Sequence, residues 1–239
     1  MKILSLDSTA KIASCAVLED EKLLSLFNID NGLTQSELLL PMVEDSLKSL
    51  NLSISDIDLF AVTCGPGSFT GVRIGTAVVK GLAFSKNIPI SPVSTLEGLA
   101  YNLIGADGII VPVMDARRGQ VYTALFKGKD GKIERISEDT ALPIVELVNI
   151  LKEYEGERIY LVGDGYNVTR DKLLPLGIRL EATPPLLIPE NAYSVGLVGL
   201  KMYRDGLCVS DRELAPTYLR LPQAERERLE KLENGDIKK

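Results

Sequence analysis

Apolar and polar positions follow two rhythms along this chain. Ile3–Asp7, Ala13–Leu18 and Leu23–Ile29 are short apolar runs, separated by the turn Ser8-Thr9-Ala10 and the charged turn Glu19-Asp20-Glu21. Such runs, bounded by turn residues, predict three strands of an antiparallel meander. A helical period follows over Thr34–Leu50, with Thr34 as N-cap and Glu37 three residues later as its capping-box partner. Leu59–Thr63 is apolar at every position, the mark of a strand covered on both faces. Gly65-Pro66-Gly67-Ser68 then opens a second helix, Phe69–Ser85. Ile88–Ile90 reads as a short strand, and Leu96–Ile104 as a third helix capped by Ser94 or Thr95.

The second half partly repeats this order. Ile109–Met114, Val121–Phe126 and Lys132–Ser137 are predicted strands, the last two joined by the tight turn Lys129-Asp130-Gly131. A helix over Ile144–Lys152, a buried strand over Arg158–Val162, the turn Gly163-Asp164-Gly165 and a helix over Val168–Leu174 come next. A further helix, Ala192–Arg204, is expected to lie against the first half. A duplicated βββαβα unit predicts an α/β, two-lobed actin-like ATPase (ASKHA) fold, an argument by analogy of element order. The expected lobes are 1–106 and 107–220. The segment 221–239 is a tail of alternating charge that reads as a solvated face.

Composition narrows the chemistry. The 239 residues include 45% apolar and 25% charged, an ordinary globular balance. A net charge of −6 and the absence of Trp argue against a chain that grips nucleic acid unaided, since neither a basic excess nor a stacking platform is present. Cys15, Cys64 and Cys208 have neither metal-site spacing nor a paired disulfide pattern, so a reducing compartment is expected. The apolar start ends at Asp7, too early for a signal segment, and no run reaches membrane-spanning length; the chain is expected to be cytoplasmic. There is no histidine. That removes Ser-His and Cys-His nucleophile pairs and any His-built zinc site, and no metal site is expected. Phoshoryl transfer needs no histidine and stays open.

Three turns carry candidate chemistry. Asp7 and Ser8 lie where an actin-like fold meets nucleotide phosphates, although an Asp-Ser turn also satisfies its own backbone. Asp115 is the counterpart of Asp7 in the repeat, next to Arg117 and Arg118. The run Gly65–Arg73 leaves a buried strand and enters a helix, so Gly65, Gly67, Ser68 and Thr70 are candidates to face a phosphate at a helix N-terminus, or simply to pack a tight turn. The P-loop ending Gly-Lys-Ser/Thr is missing. The two first-lobe helices carry more apolar surface than one core face needs: Leu38, Leu40 and Met42 fall outside the first stripe, and the second helix is apolar nearly all round. Gly71, Gly75 and Gly81 would let another backbone come close. A covering partner explains this excess better than a soluble monomer does.

The runs ILSLDST, QSELLLPMVED, GPGSFTGVRIG, MDARRGQVYTALF and APTYLR, in this order across nearly the whole chain, resemble the TsaB (YeaZ) family. The resemblance implies a non-catalytic scaffold or activator that pairs with its catalytic paralogue TsaD, and with the ATPase TsaE, for threonylcarbamoyl transfer to a tRNA adenosine beside the anticodon. It implies contact with tRNA only through that complex, and a possible homodimer when alone. The implied interface is the first-lobe helix pair, with Leu38, Met42, Ser46, Val72, Arg73, Ala77 and Lys80 as the expected contact residues. No cofactor is expected to bind tightly, with ATP or ADP possible at the partner interface. Gln35 stands where family members often carry His. The competing expectation is an actin-fold ATPase or small-molecule kinase working through Asp7 and Asp115.

Overall fold

The computed structural model describes residues 1–84 and 86–220; the charged tail 221–239 and the expected helix end at Ser85 lie outside the described residues. The first lobe is a five-stranded sheet in the order β3-β2-β1-β4-β5. Its strands are β1 (Lys2–Asp7), β2 (Ala13–Glu19), β3 (Lys22–Ile29), β4 (Leu59–Thr63) and β5 (Ile90–Val93). β1, β2 and β3 form the antiparallel meander, while β4 joins β1, and β5 joins β4, in parallel.

Alternation along the strands sorts side chains to two faces. Leu4, Leu6, Cys15, Val17, Phe60 and Val62 meet α1 (Gln35–Ser49) and α2 (Phe69–Phe84). Ile3, Ala16, Leu18, Leu59 and Ala61 meet α6 (Ala192–Arg204), which returns to the first sheet. α1 starts as its sequence dictates: the Glu37 carboxylate accepts hydrogen bonds from the Thr34 N–H at 2.8 Å and the Thr34 hydroxyl at 2.6 Å. α3 (Thr95–Tyr101) is capped by Ser94, whose hydroxyl accepts from the Glu97 N–H at 3.3 Å.

The second lobe contains β6 (Gly108–Asp115), β7 (Gln120–Thr123), β8 (Phe126–Lys129), β9 (Lys132–Arg135), β10 (Thr140–Pro143), α4 (Ile144–Lys152), β11 (Ile159–Val162) and α5 (Tyr166–Leu173). β7 and β8 run along β6 in one register, Val113 opposite Thr123 and Ile110 opposite Phe126, so they are one strand interrupted at Ala124-Leu125. β9 and β10 pair with its two halves. The meander of the first lobe therefore recurs with its second and third strands broken, and β11 joins β6 in parallel as β4 joins β1.

Two expectations are corrected. The short strand lies at Ile90–Val93, not Ile88–Ile90. Pro92 lies within the strand because β5 is the outer strand of its sheet, where a missing N–H is tolerated. The third strand of the second meander extends past its break to β10, which the sequence reading missed because Ser137-Glu138-Asp139 looks like a terminator.

A separate apolar cluster joins the lobes. Leu96, Leu99, Ala100 and Leu103 around α3 pack with Ile110, Met114, Phe126 and Val162 of the second lobe. Beside it, Arg135 bridges Glu97 at 3.1 Å, and Asp139 accepts from the Ser94 hydroxyl at 2.6 Å. Among the described residues no helix is long and apolar enough to cross a membrane.

Candidate functional site: the interlobe cleft and the outer helix face

The ends of β1 and β6 meet at a cleft of about 360 Å³. Its walls include Thr9, Lys11, Gly67, Ser68, Asp115, Arg117, Asp164 and Arg220. Of the seven residues expected to face a phosphate, Gly67, Ser68 and Asp115 line this cleft; Asp7, Ser8 and Gly65 are buried beside it, and Thr70 is exposed on α2.

The turn after β1 is bound to its own chain. Asp7 accepts hydrogen bonds from the Thr9 N–H at 2.8 Å and the Thr9 hydroxyl at 2.7 Å. The Ser8 hydroxyl donates to Gly71 O at 2.9 Å, and the Ser68 N–H donates to Thr9 O at 2.7 Å. The glycines serve this contact. A Cβ on Gly71 would lie 1.9 Å from Ser8 O, one on Gly75 would lie 2.4 Å from Ser8 Oγ, and one on Gly67 would lie 2.6 Å from Thr9 O. The chain's own β1–β2 turn thus packs against the first two turns of α2, while Gly67 and Ser68 at the helix entry also line the open cleft. Burial pushes the Asp7 carboxyl up to about 6 against the hydrogen bonds from Thr9.

Asp115 is also engaged locally. It accepts from the Arg117 N–H at 2.8 Å and pairs with the Arg117 guanidinium at 3.5 Å. Its own N–H donates to Asp164 at 3.0 Å. Desolvation, followed by the charge of Asp115, holds Asp164 above the ordinary carboxylate range. Asp164 and the buried Glu190 were not singled out in the sequence. The repeat could have found Asp164, since Gly163-Asp164-Gly165 leaves β11 as Gly65-Pro66-Gly67 leaves β4; nothing local marks Glu190. Among the described residues no three Cys, Asp or Glu side chains form a group that could hold a metal ion.

The strap Leu214–Arg220 closes one side of the cleft. The Thr217 N–H donates to Cys64 O at 2.7 Å, and Arg220 donates to Ala116 O of the second lobe at 3.2 Å. Tyr218 packs on Phe69 with ring centroids 4.6 Å apart and accepts a hydrogen bond from Arg73 at 2.8 Å. Gln35 donates to Ala10 O at 2.9 Å, tying α1 to the β1–β2 turn.

The helix pair divides the expected contact residues. Leu38, Met42, Ser46 and Val72 are buried in the chain's own core, a correction to their expected outward position. The stripe Leu38, Leu39, Met42, Val43 and Leu47 is wider than the sequence reading allowed, because β2 and β4 both need cover from α1 and α2. Lys80 donates to Leu214 O at 2.8 Å. Ala77 and Arg73 are exposed. The exposed apolar positions are instead Leu40 (51% exposed) and Pro41 on α1, among the charged Glu37, Glu44, Asp45 and Lys48, and Ala77, Gly81 and Phe84 (70% exposed) on α2. Gly71 and Gly75 are filled by Ser8, whereas nothing lies within 4 Å of a Cβ at Gly81.

Comparison with known proteins places this architecture. The family model described as TsaD: tRNA N6-adenosine threonylcarbamoyltransferase matches residues 34–205. The tRNA threonylcarbamoyladenosine biosynthesis protein TsaB of Bacillus subtilis is 37% identical over 164 residues, 69% of this chain and 72% of that protein. The Escherichia coli protein of the same name is 31% identical over 223 residues, 92% of this chain and 95% of that protein. The chain belongs to the TsaB family, within the wider TsaD family that the model describes. The structure of YeaZ from Pseudomonas aeruginosa superposes with a TM-score of 0.77 at 27% identity, covering 91% of this chain and 99% of that one. The ROK hexokinase of Thermus thermophilus, at 13% identity, shares the fold with a TM-score of 0.50 over 86% of this chain and 100% of that one. A TsaB-family chain is a protein of tRNA threonylcarbamoyladenosine biosynthesis, on the actin-like fold expected from the repeat.

Proposed function

We propose that this chain is a non-catalytic scaffold or activator subunit, which pairs through the outer face of α1 and α2 with TsaD and works with TsaE in threonylcarbamoyl transfer to tRNA. The observation that carries this reading is the uncovered apolar face of Leu40, Ala77, Gly81 and Phe84, on helices whose inner faces are already used by the chain's own core. Large apolar side chains left exposed on one helix pair fit a docking surface, and a helix glycine with open space allows close backbone approach. Absence of catalysis is supported by the Asp7 turn. Its carboxylate is committed to Thr9, and Ser8 and Thr9 pack closely on Gly71, Gly75 and Gly67. The lack of histidine removes the commonest general base. Contact with tRNA goes through the complex, and the same face serves a homodimer in the absence of TsaD. Any ATP or ADP binds at the partner interface, not tightly to the isolated chain.

Mixing the chain with TsaD, followed by sedimentation and a threonylcarbamoyl-transfer assay, tests this reading. A stable complex is expected, with turnover only in the mixture that also contains TsaE. Transferase activity of the isolated chain, or no complex at micromolar concentration, defeats it. The ATPase or kinase alternative predicts hydrolysis or phosphoryl transfer by the isolated chain that is lost on Asp115→Ala.

A further inference from the structure

Glu190 is a carboxyl group buried at the joint between the lobes, 1% exposed. It ends the connector from the second lobe to α6. Upstream, Ile188 O accepts from the Gly163 N–H at 2.6 Å, and Pro189 O accepts from the Asn102 side-chain amide at 2.8 Å. Downstream, the Asn191 side chain caps α6 by accepting from the Tyr193 N–H at 2.9 Å. Ala192 is held on both sides by the first sheet: its N–H donates to Ser14 Oγ at 2.7 Å, and its carbonyl accepts from Ser5 Oγ at 2.7 Å. Between these anchors Glu190 accepts from the Asp164 N–H at 3.3 Å.

The charges around this carboxyl oppose its ionisation. Asp7 faces it from the end of β1 and Asp164 from the β11–α5 turn. Asp115, at the end of β6, faces Asp164, and the cleft cations Lys11 and Arg117 act on Asp164. A buried carboxyl that faces other carboxyls is more stable neutral. We propose that the Glu190 connector is a proton-operated joint: while the carboxyl is protonated the connector stays packed between the lobes, and its ionisation drives the connector from the core and widens the cleft. Burial, followed by the charges of Asp164 and Asp7, raises the carboxyl well above the ordinary glutamate range. The sign follows from linkage. The folded form holds a proton that the unfolded chain has released, so stability falls as pH rises towards the folded pKa.

The chain has no tryptophan, so Tyr122→Trp in the cleft wall gives a single emission reporter. Melting temperature and emission would be followed from about pH 6, where Asp7 titrates, to about pH 9, the upper end for documented buried glutamates. With Glu190 present, the melting temperature is expected to fall by about 3 °C per pH unit until the carboxyl ionises in the folded chain, with a red shift of the reporter at the pH where that fall ends. Glu190→Gln should flatten the first and abolish the second. Asp164→Asn, which removes a facing negative charge, should move both transitions to lower pH, and it keeps the test open if Glu190→Gln does not fold. An unchanged slope in Glu190→Gln, a slope without any red shift, or no displacement in Asp164→Asn overturns the proposal.

Discussion

Two glycines of α2 should respond in opposite directions to the same substitution. A methyl group on Gly71 would sit 1.9 Å from Ser8 O and 3.1 Å from Ser8 C, with Ser68 Cβ at 3.3 Å. The obstacle is backbone, so no rotamer change relieves it. That backbone is pinned on both sides, by the Ser8 hydroxyl on Gly71 O at 2.9 Å and by the Ser68 N–H on Thr9 O at 2.7 Å. Either the β1–β2 turn lifts from α2 or the start of α2 moves outward, and both break hydrogen bonds. Overpacking in a close-packed site costs about 1–3 kcal/mol or more, and the loss of one buried hydrogen bond adds about 1 kcal/mol. The gain in helix propensity from Gly to Ala returns only about 1 kcal/mol. Gly71→Ala should therefore destabilise the chain by about 2 kcal/mol or more, a drop in melting temperature of roughly 4 °C or more for a chain of this size. Gly81→Ala meets nothing within 4 Å and should stabilise the isolated chain by about 1 kcal/mol. Urea denaturation followed by circular dichroism measures both. If Gly71→Ala is as stable as the parent, the β1–β2 turn does not pack tightly against the first turn of α2 and the clash argument fails.

The outer helix face gives a second pair of tests. Leu40→Asp or Ala77→Asp should leave a folded monomer that no longer binds TsaD in sedimentation, whereas Met42→Asp should unfold the chain, because Met42 is 3% exposed and lies in the first-lobe core. For Asp7, the folded pKa of about 6 lies above the ordinary aspartate value of 3.8, so stability falls as pH rises between these values; Asp7→Asn should remove up to about 3 kcal/mol of that fall, and thermal melts in acetate and phosphate buffers will show whether the slope persists. Burial pushes the thiols of Cys15 and Cys64 up to about 12, while Cys208 is half-buried; a thiol reagent should label Cys208 rapidly in the native chain and the other two only on unfolding, and fast labelling of two or three thiols would contradict the burial.

Much of this fold was legible because its local signals agree with the global one. The Thr34-Glu37 cap, the uniformly apolar β4 and the Asp130-Gly131 turn each specify one element without tertiary help. The broken strands of the second lobe were not legible, since their continuity lies in the register across β6 and not in any run of residues. The helix faces show the same limit. Apolar residues all round α2 imply cover on all sides, but the pattern cannot say which side the chain covers itself. Val72 turned out to belong to the inner face and Ala77 to the outer one, a division set by where β4 and the Ser8 turn lie. Glu190 was invisible for a related reason: its burial comes from the two lobes meeting, which no window of sequence around it records.

The glycine-rich run is where one sequence pattern supports two opposite functions. Glycines at a strand-to-helix turn let a backbone come close, and the pattern does not say whether that backbone or a ligand's phosphate fills the space. In this chain the answer lies in the partner turn. Asp7 points its carboxylate at Thr9, and this closes the turn so that Ser8 O and Thr9 O project onto Gly71 and Gly67. An open turn would leave the same glycines free for an anion. How closely the chain itself packs on these glycines is thus set by the hydrogen bonding of the turn after β1, and the glycines alone carry no information about it. The outer face of the same helix is uncovered, at Ala77, Gly81 and Phe84. One helix therefore presents its inner small residues to the chain itself and leaves its outer ones exposed, so that a substitution at Gly71 and one at Gly81 probe two different surfaces of α2.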